Sequence, residues 1–126
     1  MNFYSTYEAQ KTYETKDGSS IRELMHPHLH GNSGQSLAEA VVQPGKSTIL
    51  HRHMASEEIY HVTSGEGIMT RGEETILLRK GVTVGIPSYC PHRLENRGDG
   101  PLVVLCLCAP PYSHEDTELL EDLPLK

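Results

Sequence analysis

The chain has 126 residues, with 11 Lys and Arg against 17 Asp and Glu, a formal net charge of −6 at pH 7. That length suits a single domain able to bury a core without disulfides or structural metals. The acidic balance repels polyanions and argues against a nucleic-acid partner, and no apolar run approaches the ~20 residues of a membrane-spanning helix.

The first 35 residues are the least regular. The opening MNFYSTYEAQKTYE is polar and has no apolar centre of a secretory signal, so a cytoplasmic protein is expected. IRELM, residues 21–25, suits either a strand or a helical turn. HPHLHGNSGQ, residues 26–35, combines Pro, Gly and polar residues and reads as a loop. Its His26, His28 and His30 have no carboxylate on the same face and are expected at the surface or at an interface. An alternative places His30 or Gln35 at the rim of a pocket.

From residue 36 the chain reads as short strands separated by turn residues. SLAEAVVQ stops at Pro44-Gly45, STILHRH follows, and EIYHVTS turns at Gly65. GIMT turns at Arg71-Gly72-Glu73, TILLRK stops at Gly81, and VTVGI stops at Pro87. HRLEN turns in the run 97–100, and LVVLCLC stops at Pro110-Pro111. No segment keeps a 3.6-residue period, so the fold class is all-β, an antiparallel sandwich or barrel. The tail, SHEDTELLEDLPLK, is acidic. Residues 113–118 suit a short helix capped by Ser113, or an arm lying on a partner subunit.

Cys90, Cys106 and Cys108 are an odd number of cysteines, which argues against a disulfide framework. Cys106 and Cys108 share a face of one strand run and are expected to be small buried apolar groups, with soft metal ligation or redox chemistry as the weaker alternative.

HRHMASEEIY, residues 51–60, carries the chemistry. Side chains two apart in a strand point the same way, so His51 and His53 face together, as do Glu58, Tyr60 and Val62. If the second run folds back beside the first, Glu58 lies against the two imidazoles. Two imidazoles and a carboxylate suit borderline divalent metals, and His92 in PSYCPHRLEN is the candidate for a further ligand. His61 falls on the opposite face. Met54, Ile68 and Met69 are expected either to line the pocket or to fill ordinary core.

These patterns resemble the two motifs of the cupin family. Gly45, five residues, His51-Arg52-His53, four residues, Glu58, six residues and Gly65 match the first. Gly81, five residues, Pro87-Ser88-Tyr89, two residues, His92, three residues and Asn96 match the second, with Tyr89 where the family usually has glycine. That turn is where the backbone is expected to depart from the family's.

The resemblance implies a single-domain antiparallel jelly-roll β-barrel over 1–126. Its core barrel would span about 36–110, with an N-terminal arm 1–35 and a C-terminal tail 111–126. It implies His51, His53, Glu58 and His92 as ligands of one divalent transition metal per chain, among Fe, Mn, Ni, Cu, Co or Zn. Glu57, facing the other way, is excluded by the count back from Gly65.

Three functions follow from the resemblance. The leading one is an oxygenase, of dioxygenase type, acting on a small organic molecule. The alternatives are a non-redox isomerase, epimerase, cyclase or lyase, with Tyr60 or a metal-bound water as base and Tyr60 otherwise simple packing, and a non-catalytic sugar-binding module. Asn96 is expected to hold a turn. Cupins commonly pair, so a homodimer is expected, through the segment before residue 36 or through the tail.

Overall fold

Alternating burial along the strand runs sets the architecture. In β3 (Ser36–Val42) the side chains of Ser36, Ala38, Ala40 and Val42 are buried while those between are half-buried. Each such strand can cover only one face of a core. The computed structural model describes residues 2–121, so 122–126 of the expected tail lie outside the described residues.

The larger sheet runs in the order β1 (Thr12–Glu14), β2 (Ser20–Met25), β3, β10 (Leu102–Ala109), β5 (Glu57–Ser64) and β8 (Thr83–Ile86). The smaller runs β11 (Thr117–Leu119), β4 (His51–His53), β9 (His92–Glu95), β6 (Glu66–Arg71) and β7 (Glu74–Arg79). All pairings are antiparallel. The chain is almost all-β, with two facing sheets in a jelly-roll arrangement. The single short helix among the described residues, α1 (Pro27–His30), fills one turn of chain between β2 and β3. No helix among the described residues is long and apolar enough to cross a membrane.

Large apolar side chains fill one end of the interior. Val42, Val62, Met69, Leu78, Ile86, Leu94, Leu102 and Val104 pack there, drawn from both sheets. Toward the other end β3 presents Ser36, Ala38 and Ala40, which are too small to close the space. A cavity remains where the larger sheet faces His51 and His53 of β4 and Leu94 of β9.

Each strand run read from residue 36 onward forms a strand, though STILHRH is regular only over His51–His53, with one bridge from Ser47 to Glu95. IRELM is a strand, not a helical turn, because β3 is available to pair with it. Four differences have physical causes. First, the strand after the bend does not fold back beside β4. Residues 54–56 carry it to the opposite sheet, so Glu58 faces the histidines across the interior.

Second, His26 and His30 are buried, not at the surface. His26 Nδ1 accepts the His28 N–H (3.1 Å), and its Nε2 lies 2.8 Å from the Tyr112 carbonyl. His30 Nδ1 accepts the His26 N–H (2.9 Å), and its Nε2 lies 3.1 Å from Gln10 Oε1. These rings replace backbone partners that an irregular buried segment lacks. Only His28 is exposed.

Third, residues 113–118 do not form a helix. Ser113 Oγ does cap one turn by accepting the Asp116 N–H (3.1 Å), but the chain then pairs with β4. Fourth, the backbone at Tyr89 keeps the left-handed conformation expected of glycine, with φ 66°.

Candidate metal centre

β4 and β9 pair so that His51 lies beside His92, and strand alternation turns His53 to the same interior face. The three side chains are buried, and one nitrogen of each lies within 4.8 Å of the others. From the opposite sheet Glu58 Oε1 approaches His53 Nε2 to 3.0 Å and His92 Nε2 to 3.3 Å. Asp17 Oδ2, from the turn between β1 and β2, lies 3.4 Å from His51 Nε2.

The outer nitrogens fix the tautomers. His51 Nδ1 is 2.7 Å from the Ile49 carbonyl and His92 Nδ1 is 2.9 Å from the Cys90 carbonyl. A carbonyl only accepts, so both nitrogens carry hydrogen. His53 Nδ1 is 3.0 Å from Thr117 Oγ1, whose own hydrogen goes to the Ser113 carbonyl (2.9 Å). Thr117 therefore accepts from His53. In their neutral forms all three rings aim an Nε2 lone pair into the site, against carboxylate oxygens.

Acceptors facing acceptors need something positive between them, a proton or a cation. His92 Nε2 is fully buried without a hydrogen-bond partner among the described residues. In an octahedral ion with bonds of about 2.1 Å, adjacent donor atoms sit about 3.0 Å apart. The spacings around Glu58 Oε1 are close to that, so the residues present fit a metal ion.

Charge in the site follows the same geometry. Burial opposes the charged form of Glu58, but the His53 imidazole hydrogen-bonded to it and the His92 imidazole close beside it outweigh burial and hold its carboxyl at about 2. Burial also works against a charged His53, yet Glu58 raises this imidazole above its ordinary value. His51 is lowered by burial and by His92. The Cys108 thiol donates to Glu58 Oε2 at 3.3 Å and is raised by burial and by that carboxylate. The Tyr60 phenol, raised mainly by burial, keeps its proton.

Comparison with known proteins decides the family. The cupin domain model matches residues 38–108, more than half of the chain. The chain belongs to the cupin family. This cupin is 53% identical over 115 residues to protein MJ1618 of Methanocaldococcus jannaschii, covering 91% of the chain and 92% of that protein. It is 29% identical over 86 residues to the oxalate-binding protein of Thermotoga maritima, covering 68% and 67%. Among solved structures, Pac13, a nucleoside dehydratase, superposes with a TM-score of 0.79 at 14% identity, covering 98% of this chain and 95% of its own. That likeness is one of fold.

In this cupin the motif residues divide between the site and the frame. Asn96 is buried and spends its amide on the Val42 and Gly100 carbonyls (2.8 and 2.9 Å), holding a turn. Gly65 has φ 83°, and a Cβ there would fall on the Pro101 carbonyl. His61 faces outward and bonds Thr83 (2.7 Å). Met54, Ile68 and Met69 do not line the cavity; Ile21, Ala38, Ala40 and Leu94 supply its apolar wall. Cys106 and Cys108 both line it, with no disulfide among the described residues.

Sequence reading passed over Asp17, Glu23, Tyr112 and Thr117, which also reach the cavity. Glu23 shares the inward parity of Ile21, a signal that SIRELM contains. Asp17 sits in the turn-forming TKDGS, which marks a turn but not what the turn covers. Thr117 and Tyr112 carry no local signal.

Proposed function

We propose that this cupin is a metal-dependent enzyme acting on a small organic molecule, with one divalent transition ion per chain held by His51, His53, Glu58 and His92. The observation that supports this is the set of three Nδ1–H groups tied to fixed acceptors, leaving three Nε2 lone pairs and a carboxylate converging. Such outer bonds orient metal-binding imidazoles. Fe, Mn, Co, Ni, Cu and Zn all suit the donor set. Four protein donors leave open positions on an octahedral ion, where a bound metal can polarise a substrate oxygen or, if redox-active, activate O₂.

The reaction we favour is an oxygenase of dioxygenase type. The chain's own groups then have limited proton-transfer work. Tyr60 holds its proton in the cavity wall and serves as a hydrogen-bond donor, and the Cys108 thiol restrains the second oxygen of Glu58. The direct test is nitric oxide added anaerobically to the Fe(II)-loaded chain. A high-spin iron–nitrosyl EPR signal is expected. Bound iron without that signal would leave no position for O₂ and would contradict the oxygenase reading.

A second reading, a non-redox isomerase, epimerase, cyclase or lyase, draws on one observation. Tyr60, which shares the inward face with Glu58, is a phenol that burial keeps protonated, so in this reading it would serve as an acid and not as the base that the resemblance implies. Turnover under argon with Zn in place of iron would favour it. Ligand binding without product would favour the sugar-binding module.

We further propose a homodimer in the reducing cytoplasm. Three free thiols suit that compartment. Of the large apolar side chains exposed among the described residues, Phe3, Tyr4, Tyr7, Tyr13 and Leu29 fall in the N-terminal segment, which supports that segment as the contact.

A further inference from the structure

We propose that the cavity selects a small uncharged ligand bearing hydroxyl or N–H donors and rejects carboxylate anions, with Glu23 as the selecting residue. This deepens the reading of the cavity as the ligand site beside the metal-binding residues, and rests on it.

The wall brings together three carboxylates, Asp17, Glu23 and Glu58, with no Lys or Arg among the described residues that line it. The three are not equivalent. Glu58 is engaged by His53 and His92. Asp17 Oδ1 accepts from the Thr15 hydroxyl (2.6 Å), the Ser19 N–H (3.0 Å) and the Ser19 hydroxyl (2.7 Å), which lock its orientation. Its turn is also fixed to the barrel, since the Ile49 N–H donates to the Asp17 carbonyl (2.8 Å). Glu23 is different. It is only 6% exposed, its Oε2 accepts the Tyr13 hydroxyl (2.6 Å), and its Oε1 is buried with no partner among the described residues.

A buried acceptor left unpaired is costly, and a ligand donor placed against it recovers that cost. The neighbouring Ile21, Ala38 and Ala40 have no side-chain donor to offer. A ligand hydroxyl or N–H set against Oε1 would therefore supply a donor in place of water. A ligand carboxylate would instead set like charge beside Glu23 and Asp17 at low dielectric. A divalent ion offsets two of the three carboxylates, so the cavity stays net negative even when loaded. The space is about 40 Å³, room for roughly three waters, so the ligand portion that enters is small.

The test titrates oxalate and glycerol separately into the native chain and into Glu23→Gln, each metal-loaded and metal-free, with metal content measured in every sample. Gln keeps the size of Glu and can still accept from Tyr13, so the variant should fold and keep its metal. Oxalate affinity is expected to rise roughly tenfold or more in the variant, with or without metal. Glycerol affinity is expected to fall severalfold. An oxalate affinity unchanged or lowered overturns the proposal. A native chain that holds no metal would defeat the metal reading alone, because the metal-free titrations still decide this one. Should Glu23→Gln lose the fold, Glu23→Ala removes the carboxylate outright: oxalate is again expected to bind more tightly, and an unchanged or weaker oxalate affinity would overturn the proposal.

Discussion

Glu58 and His53 form the central pair of residues, and their shifts have opposite signs. The folded pKa of Glu58, about 2, lies below its ordinary 4.5. Its stabilising contribution is therefore present above about 4.5 and is lost as pH falls toward 2. The folded pKa of His53 lies above its ordinary 6.5, so its contribution is full below 6.5 and is lost as pH rises through the folded value. In the metal-free chain the pair stabilises most between about 4.5 and 6.5. Urea unfolding across pH should show this window, and Glu58→Gln should flatten it. Metal binding has the opposite trend, because protons compete for His53 below its raised pKa. Affinity measured by chelator competition should rise with pH; a flat profile would exclude His53 as a ligand. Tyr89 offers a separate test. A non-glycine side chain in the left-handed region costs about 1 kcal/mol or more, so Tyr89→Gly should leave stability unchanged or raise it by up to about 1 kcal/mol in thermal unfolding. A clear loss would mean that the Arg52 guanidinium, 5.3 Å from the ring centroid, outweighs the strain.

Strands were legible in the sequence because burial alternates with period two, and the histidine parity within residues 51–53 needed nothing more. The placement of Glu58 was not legible in the same way. Its parity could be read, but the sheet it joins depends on the bend at 54–56, which Asp116 holds by accepting the Ala55 and Ser56 N–H groups (2.8 and 3.0 Å). That contact is some 60 residues distant in sequence. The same holds where Lys16 reaches the Thr117 carbonyl (2.7 Å) and closes the first turn over the site. β11 looked like a helix start because its capping serine is real and local, while its strand partner is distant. The element has a measurable role: Thr117→Val removes the acceptor for His53 Nδ1–H. Metal affinity should fall about 10–100-fold with the fold retained, and unchanged affinity would show that the outer bond does not orient the ring. At the β5–β6 turn, Gly65→Ala should destabilise by more than about 2 kcal/mol, since φ and contact both oppose a Cβ.

At the scale of the whole molecule, large side chains at one end of the sandwich and small ones at the other separate stability from chemistry. Met69 is fully buried in the packed end, away from the cavity. Met69→Ala should cost about 2–5 kcal/mol while leaving metal affinity unchanged, and a loss of both would mean that the two ends are not separable. The exposed aromatic residues of the N-terminal segment bear on assembly: sedimentation should show a dimer, and a stable monomer would defeat that expectation. The most direct measurement is metal content by mass spectrometry on chain purified without an affinity tag, beside a His51→Ala/His53→Ala variant that remains a folded β protein. About one equivalent of transition metal per native chain, with little in the variant, is the expected result. A native chain that stays metal-free even after reconstitution would contradict it.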